Sequence, residues 1–496
     1  MYSILDVKNY DLCEKYFWFT KNKDEPSSSM IHYHEDFMSL CKELLMISHA
    51  YDARESSILD IKQVLESETA VVHASFTYYH LQITIPIMIK GESGWNIYFP
   101  YEVCYLQEEE IQYIADHVHV LASFAIPIEG IYIIYLQANY ERDDSLELSQ
   151  LFKISEYIHS SNGGSKKKIK DLVSSLDRDL FSYQQRMDTC MKNKVMKNKH
   201  MNQCRKGMKC PYYRTCLSSI EKDTSILLLN SCTHRLEMYE EGILDMKDTD
   251  INRIEGTKLQ YAQIMAARLN GIYCDTYAIK TWIDECIQYP ISYLGFTGDT
   301  FTIPPYPRMK PYDTLCFQYS LHIEDAQGTQ LQHRQFLGTG DCRIAFIEQL
   351  LHDIPTEGSI MVFHMEGAEK LHLKKLAIQF PQYRDALYGL CDRIVDLSLP
   401  FFSGSLYDNR MRGQYSLKVL RSLYSNEDYS HLPISNAFEA VKKWRRLEAL
   451  NGIEKEQMKK ELYAYGKMDT YTKYNLFHAI KDIVKEKEKY HYTYIV

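Results

Sequence analysis

The sequence predicts an α/β protein with more than one domain. The chain has 496 residues, which is enough for two or three domains with separate hydrophobic cores. Apolar residues make up 45% of the chain and charged residues 25%, the proportions of an ordinary globular protein. Short segments rich in β-branched and aromatic residues alternate with longer helical segments. Together these observations indicate sheets packed against helices.

The first part of the chain contains a group of predicted strands followed by a helix. Residues 71–76, 80–90 and 95–100 are strand-like, residues 109–121 predict a helix, and residues 130–136 predict another buried strand. The polar, glycine-containing run 160–165 then predicts a loop.

The last part of the chain has a recognisable order of elements. A helix over 278–288 leads to predicted strands at 289–296, 316–322 and 334–337, a helix at 342–352 and a strand at 359–364. Helices follow at 368–379, 434–450 and 454–486. Three strands, a helix, a strand and further helices is the order of a ribonuclease H-like domain, although periodicity alone supports only an α/β assignment. We therefore expect three parts, with boundaries 1–220, 221–288 for a helical connector, and 289–490.

Four cysteines form a pattern typical of a metal site. Cys13 stands alone, and Cys204, Cys210 and Cys216 form a C-x5-C-x5-C run. Four thiolates are sufficient to hold an iron–sulfur cluster or a structural zinc ion. The alternative is that free cysteines are scattered through a reduced protein, since the chain has 13 of them. The trio lies in a polar, lysine-rich stretch with a proline directly after Cys210, which favours ligation.

The charge pattern bears on partners. A formal net charge of −9 argues against nucleic-acid binding by the whole surface but leaves a local basic path open. One basic run, with Tyr212 and Tyr213 interleaved, suits single-stranded nucleic acid, although a solvated surface has the same pattern. Its candidate contacts are Lys192, Lys194, Lys197, Lys199, Arg205, Lys206, Lys209 and Arg214. We find no signal peptide or membrane-spanning segment in the sequence, and the odd cysteine count suits a reducing compartment, so we expect a cytoplasmic protein.

Several stretches carry a resemblance to a known family. These are residues 10–18, the cysteine trio, residues 289–298, 316–322 and 393–397, and the Tyr465-x-x-x-Asp469 motif. On these residues the chain resembles a bacterial family of unknown function, domain-of-unknown-function family 2779, whose members look like two nuclease modules in one chain. The resemblance implies a RecB-like module of the PD-(D/E)xK nuclease fold, similar to CRISPR-associated exonucleases that wrap around a 4Fe–4S cluster. It assigns the cluster to Cys13, Cys204, Cys210 and Cys216, with zinc as the alternative occupant. The second module is similar to DEDD-type exonucleases of ribonuclease H-like fold.

The first implied active site lacks its essential residues. A RecB-like site needs an Asp on one strand and a Glu-x-Lys on the next, to hold a divalent metal and position water. The Asp position falls at Pro86, and the Glu-x-Lys position falls at Phe99-Pro100-Tyr101. An upstream acidic position falls at His73. We therefore expect no hydrolysis by this module.

The second implied site has lost a different part. DEDD exonucleases hold two metals with four carboxylates, of which two come from an Asp-x-Glu on the opening strand. Those two positions are Gly295 and Thr297 here. The remaining candidate residues are Glu369 (or Glu366), Asp396, Tyr465 and Asp469.

Three functions follow from the sequence. The first is a pseudo-nuclease that binds nucleic acid or acts as a scaffold for a protein partner in nucleic-acid processing or defence. The second is an active, Mg²⁺- or Mn²⁺-dependent 3′–5′ exonuclease that uses Glu366, Glu369, Asp396 and Asp469. The third is a structural protein with a metal staple and no nucleic acid. The neutral residues at 295 and 297 favour the first over the second, and the basic run favours the first over the third.

Overall fold

The structure is a computed structural model that divides into two compact units. The first unit comprises the described residues from 1 to 193 together with 301–313, and the second comprises those from 210 to 300 and from 314 onwards. Residues 222–288, expected as a connector, are grouped with the second unit. The described residues are 1–23, 31–54, 58–160, 163–164, 167–193, 210, 212, 215, 222–326, 330–364, 369–425 and 432–493.

A six-stranded mixed sheet forms the centre of the first unit. In chain order the strands of this unit are β1 (Ile31–His32), β2 (Tyr51–Asp52), β3 (Ala70–Tyr78), β4 (Leu81–Lys90), β5 (Trp95–Pro100), β6 (Ile128–Leu136), β7 (Phe152–Ser155), β8 (His159–Ser160) and β9 (Gly163–Gly164). The sheet order is β2-β3-β4-β5-β6-β7. Strands β3, β4 and β5 are antiparallel, whereas β6 is parallel to β5.

Helices cover both faces of this sheet. They are α1 (Ile4–Leu12), α2 (Glu14–Asn22), α3 (Phe37–Leu44), α4 (Ile58–Ser67), α5 (Glu110–Ser123), α6 (Leu148–Leu151), α7 (Ile169–Ser174) and α8 (Leu180–Lys192). Side chains from α1, α2, α4, α5, α7 and α8 form one core with the sheet, and α3 and α6 contribute to the opposite one. The α1 helix starts at a reciprocal cap between Ser3 and Asp6.

The second unit is built on five strands in the order β13-β12-β11-β14-β15. Its strands are β10 (Ile272–Cys274), β11 (Ile291–Phe301), β12 (Asp313–Glu324), β13 (Leu331–Leu337), β14 (Ile360–Val362), β15 (Ile394–Asp396) and β16 (Leu406–Asp408). Strand β13 is antiparallel to β12, while β14 is parallel to both β11 and β15. Strands β10 and β16 form a separate antiparallel pair.

Helices pack on both faces of this second sheet. They are α9 (Arg235–Glu240), α10 (Lys258–Arg268), α11 (Thr276–Cys286), α12 (Arg343–Asp353), α13 (Glu369–Gln379), α14 (Arg384–Asp392), α15 (Leu399–Phe402), α16 (Leu417–Tyr424), α17 (Ala437–Leu447) and α18 (Gly452–Thr493). Helices α12, α13 and α14 share one core with the sheet, and α10, α11 and α18 share another. A Cβ atom on Gly466 would lie only 2.9 Å from Gln318 Nε2, so glycine allows α18 to approach β12 closely.

The α/β prediction is confirmed, and most predicted strand and helix ends lie within three residues of those in the structure. Strand β11 and helix α18 extend further, ending at Phe301 and Thr493 rather than at 296 and 486. The sequence did not predict the β10–β16 pair, because three-residue strands carry too little alternation to be recognised. Helix α17 begins at Ala437 rather than 434 because Asn436 caps it, accepting a hydrogen bond from the Glu439 amide.

Candidate functional site

The centre of the candidate site is Gly295 on β11. Residues 295, 297 and 299 alternate along the strand and are buried on the same face. Helix α18 crosses this face. A Cβ atom on Gly295 would lie 2.6 Å from Asp469 Oδ2 and 2.8 Å from Lys473 Nζ. The space that a side chain at 295 would need is therefore taken by a carboxylate and an ammonium group of α18.

Lys473 fills the position in front of the strand. Its side chain is almost completely buried, with 2% of the residue exposed. The Nζ atom donates hydrogen bonds of 2.8 Å to Asp469 Oδ2 and 2.8 Å to the Leu294 carbonyl oxygen. It also lies 3.6 Å from Glu369 Oε1. One internal cation thus joins the strand, the helix and the first residue of α13.

Glu369 is the buried acid of this group. It is 4% exposed, and its Oε2 atom has no hydrogen-bond partner among the described residues. Burial raises the pKa of Glu369, an effect that the Lys473 charge only partly offsets. Burial by itself would lower the pKa of Lys473, but the charges of Asp469 and Glu369 outweigh it and raise that pKa. The ammonium group is therefore held in its charged form by the two carboxylates.

Two other acids, near the end of β11 and at the start of β12, have structural roles. Asp299 is fully buried and accepts two hydrogen bonds, of 2.6 and 2.9 Å, from the Arg445 guanidinium of α17. Asp313 accepts a hydrogen bond of 2.9 Å from the Lys310 amide. Neither carboxylate joins the group around Lys473.

The remaining predicted site residues are partly brought together. Tyr465 and Asp469 line one cavity, one helical turn apart on α18. Asp396 ends β15, where its Oδ1 accepts hydrogen bonds from the His364 and Ser398 amides at 3.1 and 2.8 Å. Glu366 lies outside the described residues.

The Asp and Glu-x-Lys positions of the first implied site carry neither a carboxylate nor a lysine. Phe99 is buried, and the Tyr101 side chain is hydrogen-bonded to Glu110, whose carboxylate pairs with Lys8 at 2.7 Å. His117 donates from Nδ1 to the Tyr113 carbonyl oxygen at 2.7 Å if that nitrogen carries the proton. Burial lowers the pKa of His117 to about 4, so the ring is neutral near pH 7.

Pro86 lies where β4 changes its side-chain alternation. Ile85 and Met88, three residues apart, belong to one core, while Ile87 belongs to the other. On the neighbouring strand, His73 has a positive φ of 56°. Proline has no amide hydrogen to contribute to a sheet, so within strands it is tolerated mainly at irregular positions such as this one.

Two of the four predicted cluster cysteines fall within the described residues. Cys13 connects α1 to α2 in the first unit, and Cys210 is in the second unit. Cys204 and Cys216 lie outside the described residues, so a shared metal stays a prediction. The structure adds Cys190, whose Sγ lies 3.5 Å from the Glu14 carbonyl oxygen, next to Cys13 in the chain. Among the described residues, no group of three or more His, Cys, Asp or Glu side chains is arranged to hold a metal ion.

Most of the basic run also lies outside the described residues. Lys192 ends α8 and is exposed. The other candidates, Lys194, Lys197, Lys199, Arg205, Lys206, Lys209 and Arg214, lie outside the described residues.

Sequence reasoning missed Lys473, although a signal was present. Asp469 and Lys473 are four residues apart, a spacing that places them on one face of a helix. Such pairs are common on solvated helices, and only the packing of α18 against Gly295 makes this one an internal pair.

Comparison with known proteins gives one match. A family model described as a domain of unknown function (DUF2779) matches residues 292–416. The matched range contains Gly295, Thr297, Glu369 and Asp396 and stops before Tyr465 and Asp469. No curated protein and no solved structure matches the chain. Within the part of the chain that is described, no helix is both long and apolar enough to cross a membrane.

Proposed function

We propose that this chain is a nuclease-like protein without hydrolytic activity, which binds nucleic acid in DNA or RNA processing or defence. The observation that carries the proposal is the position of Lys473. Its ammonium group lies between Asp469 and Glu369, 2.8 and 3.6 Å from their oxygens.

The topology of the second unit supports a ribonuclease H-like assignment. When the five strands of this sheet are numbered in chain order from β11, the spatial order β13-β12-β11-β14-β15 becomes 3-2-1-4-5. The fourth and fifth strands are parallel to the first. In such a domain the first strand and a late helix supply metal-binding acids. Gly295 on β11 and Asp469 on α18 stand in these two places.

The topology of the first unit supports a RecB-like assignment. Helix α4, the antiparallel strands β3 to β5, helix α5 and the parallel strand β6 follow one another. This succession is what the family resemblance implies for a PD-(D/E)xK nuclease module. Pro86 and Phe99 provide no carboxylate to hold a divalent metal, so we expect no metal-dependent hydrolysis by this unit.

The residues around Gly295 do not fit a two-metal site. Two divalent cations about 4 Å apart need several carboxylates to balance their charge. Here Asp469 and Glu369 already neutralise one ammonium group, and residues 295 and 297 supply no negative charge. A divalent ion would be repelled by Lys473 at short range, where the low local dielectric strengthens the repulsion.

The cysteines support a structural metal centre in the same protein. We infer a 4Fe–4S cluster held by Cys13, Cys204, Cys210 and Cys216, with zinc as the alternative, because both metals accept four thiolates. Such a centre would stabilise the fold and would not depend on the residues around Gly295.

The proposal is tested with full-length protein and labelled oligonucleotides. Single- and double-stranded DNA and RNA are incubated with the wild-type chain and Mg²⁺ or Mn²⁺, and binding is measured separately by fluorescence anisotropy. We expect binding that weakens as salt rises, with no shortening of the strands. Wild-type degradation that disappears in Asp469→Asn would instead establish the alternative, an active metal-dependent exonuclease. Absence of any binding would leave the structural role as the function.

A further inference from the structure

We propose that the cavity beside Tyr465 binds a phosphate monoester, either the terminal phosphate of a nucleic-acid strand or the phosphate of a free nucleotide. The inference rests on the proposed function, since it names the chemical group that the second unit, nuclease-like but without hydrolytic activity, would recognise. It requires no metal and concerns a different space from that filled by Lys473.

The cavity lies between the starts of two helices and the middle of a third. Its volume is about 180 Å³, smaller than the sites of drug-sized ligands, so the cavity suits a small group such as a phosphate. The side chains of chemical interest that line it are Lys418, Arg421, Ser435, Asn436, Tyr465 and Asp469.

The charges of the lining favour an anion. Lys418 is exposed and Arg421 is half-buried on α16, so two cations border the same space. Asp469 is the acid in the lining, and Lys473 compensates its charge from the side away from solvent, at 2.8 Å. Glu439 lies close by, but its Oε2 accepts a hydrogen bond of 2.7 Å from the Ser435 amide.

The backbone adds to this preference. Helices α16 and α17 both begin at the cavity, with Leu417 and Ala437 in the lining. The amino-terminal ends of helices carry partial positive charge and favour phosphate groups. Two helix starts and two cations thus converge on one space.

Tyr465 supplies a further hydrogen-bond donor at the cavity. In the portion of the chain that the structure describes, its hydroxyl group forms no hydrogen bond, and it borders the cavity. Burial raises the pKa of Tyr465, so the hydroxyl keeps its proton at neutral pH and is able to donate to a phosphate oxygen.

The experiment compares strand ends. Full-length protein is titrated in EDTA against one fluorescent single-stranded decamer with 3′-phosphate, 5′-phosphate or hydroxyl ends, and separately against AMP by calorimetry. We expect one phosphorylated end to bind at least about tenfold more tightly than the hydroxyl end, as charge-assisted hydrogen bonds predict. Tighter binding of the phosphorylated strand end than of AMP would identify nucleic acid as the source of the phosphate. Tighter binding of AMP would identify a free nucleotide.

Matched variants locate the effect. Lys418→Ala/Arg421→Ala should abolish the preference, whereas Lys374→Ala/Arg384→Ala, which removes two exposed cations from α13 and α14, should retain it. Thermal denaturation confirms that both variants fold. Equal binding of phosphate and hydroxyl ends by the wild type, or a preference that survives in the first variant, would overturn the inference while leaving nucleic-acid binding intact. If no oligonucleotide binds, the proposed function fails, and the AMP titration alone tests whether the cavity binds phosphate. AMP binding that is lost in Lys418→Ala/Arg421→Ala would support the phosphate site. No AMP binding by the wild type would refute it.

Discussion

The Nζ atom of Lys473 lies 2.8 Å from Oδ2 of Asp469, one helical turn away on α18, with the backbone of Gly295 beside both. A buried ion pair of this kind is costly to break, because removing one partner leaves the other charge without compensation. The pair therefore has both a structural and an electrostatic role, and each can be measured.

The first prediction concerns stability. Lys473→Met should lower the free energy of unfolding at pH 7 by about 3–5 kcal/mol, because the buried Glu369 carboxylate loses its neighbouring cation. Urea denaturation measures the change. Lys460→Met, an exposed position on the same helix, is the control and should change stability by less than about 0.5 kcal/mol.

The pH dependence of that difference follows from Glu369. Burial raises the folded-state pKa of Glu369 above its unfolded value, so the charged carboxylate costs stability above the folded pKa. The cost shrinks as the pH falls below that pKa, and it is gone below the lower, unfolded-state pKa. The gap between Lys473→Met and the wild type should therefore narrow between pH 7 and pH 4. A gap that stays constant over this range would contradict the assigned role of Glu369.

A second prediction concerns restoration of the metal site. Gly295→Asp/Thr297→Glu should remain inactive, because a side chain at 295 meets both Asp469 and Lys473. Adding Lys473→Ala removes the cation and should permit millimolar Mn²⁺ binding, measured by calorimetry, with metal-dependent shortening of labelled strands. Activity in the double variant with Lys473 present would show that the lysine moves aside easily.

A third prediction concerns acid stability. Burial lowers the pKa of His322 to about 3 and that of His333 to about 4, and Ser320 and Thr470 hydrogen-bond to these rings. A histidine with a depressed folded-state pKa stabilises the fold above its unfolded pKa, near 6.5, and loses that contribution as the pH falls. Stability should thus fall between pH 6.5 and pH 4, by about 2–4 kcal/mol for the pair. His322→Asn/His333→Asn should flatten this dependence, while His352→Gln, an exposed position, should leave it unchanged.

A fourth prediction concerns the cysteines. Anaerobically purified protein should be brown and contain about four iron atoms per chain, as expected for a 4Fe–4S centre. Cys204→Ser should remove the colour and destabilise the protein, whereas Cys286→Ser, at an exposed free thiol, should do neither. One zinc ion in colourless protein would keep the site but change its occupant. Protein with neither metal would refute the site.

A fifth prediction concerns the first unit. The chain should show no cleavage attributable to this unit, because Pro86 and Phe99 offer no metal ligand. Glu102, the nearest acid in sequence, accepts hydrogen bonds from the His34 amide, at 2.6 Å, and from the Thr302 hydroxyl. Glu102→Ala should therefore lower the melting temperature without altering any nuclease assay. Cleavage that is lost in Glu102→Ala would mean that the strand register of the site had been misassigned.

Most of the fold follows from the sequence, and much of the site does not. The long strands β3, β4 and β12 and the helix α18 carry strong periodic signals, so their positions were predictable. The missing side chain at Gly295 and the carboxylate of Asp469 could also be read from the sequence. The contact of Lys473 with Leu294 and that of Asp299 with Arg445 could not, because each joins segments far apart in the chain, and charge spacing does not report such contacts. The sequence also did not show that the side chains of β4 change faces of the sheet at Pro86, because a prediction from alternation assumes an unbroken strand.

The crowding at Gly295 also limits how this site can change by mutation. An acid introduced at 295 alone would be placed against an occupied space, and loss of Lys473 alone would leave two carboxylates without their cation. We expect each single step to lower the stability of the folded state. The residues at 295 and 473 should therefore constrain each other, so that neither can be exchanged alone without a cost in stability.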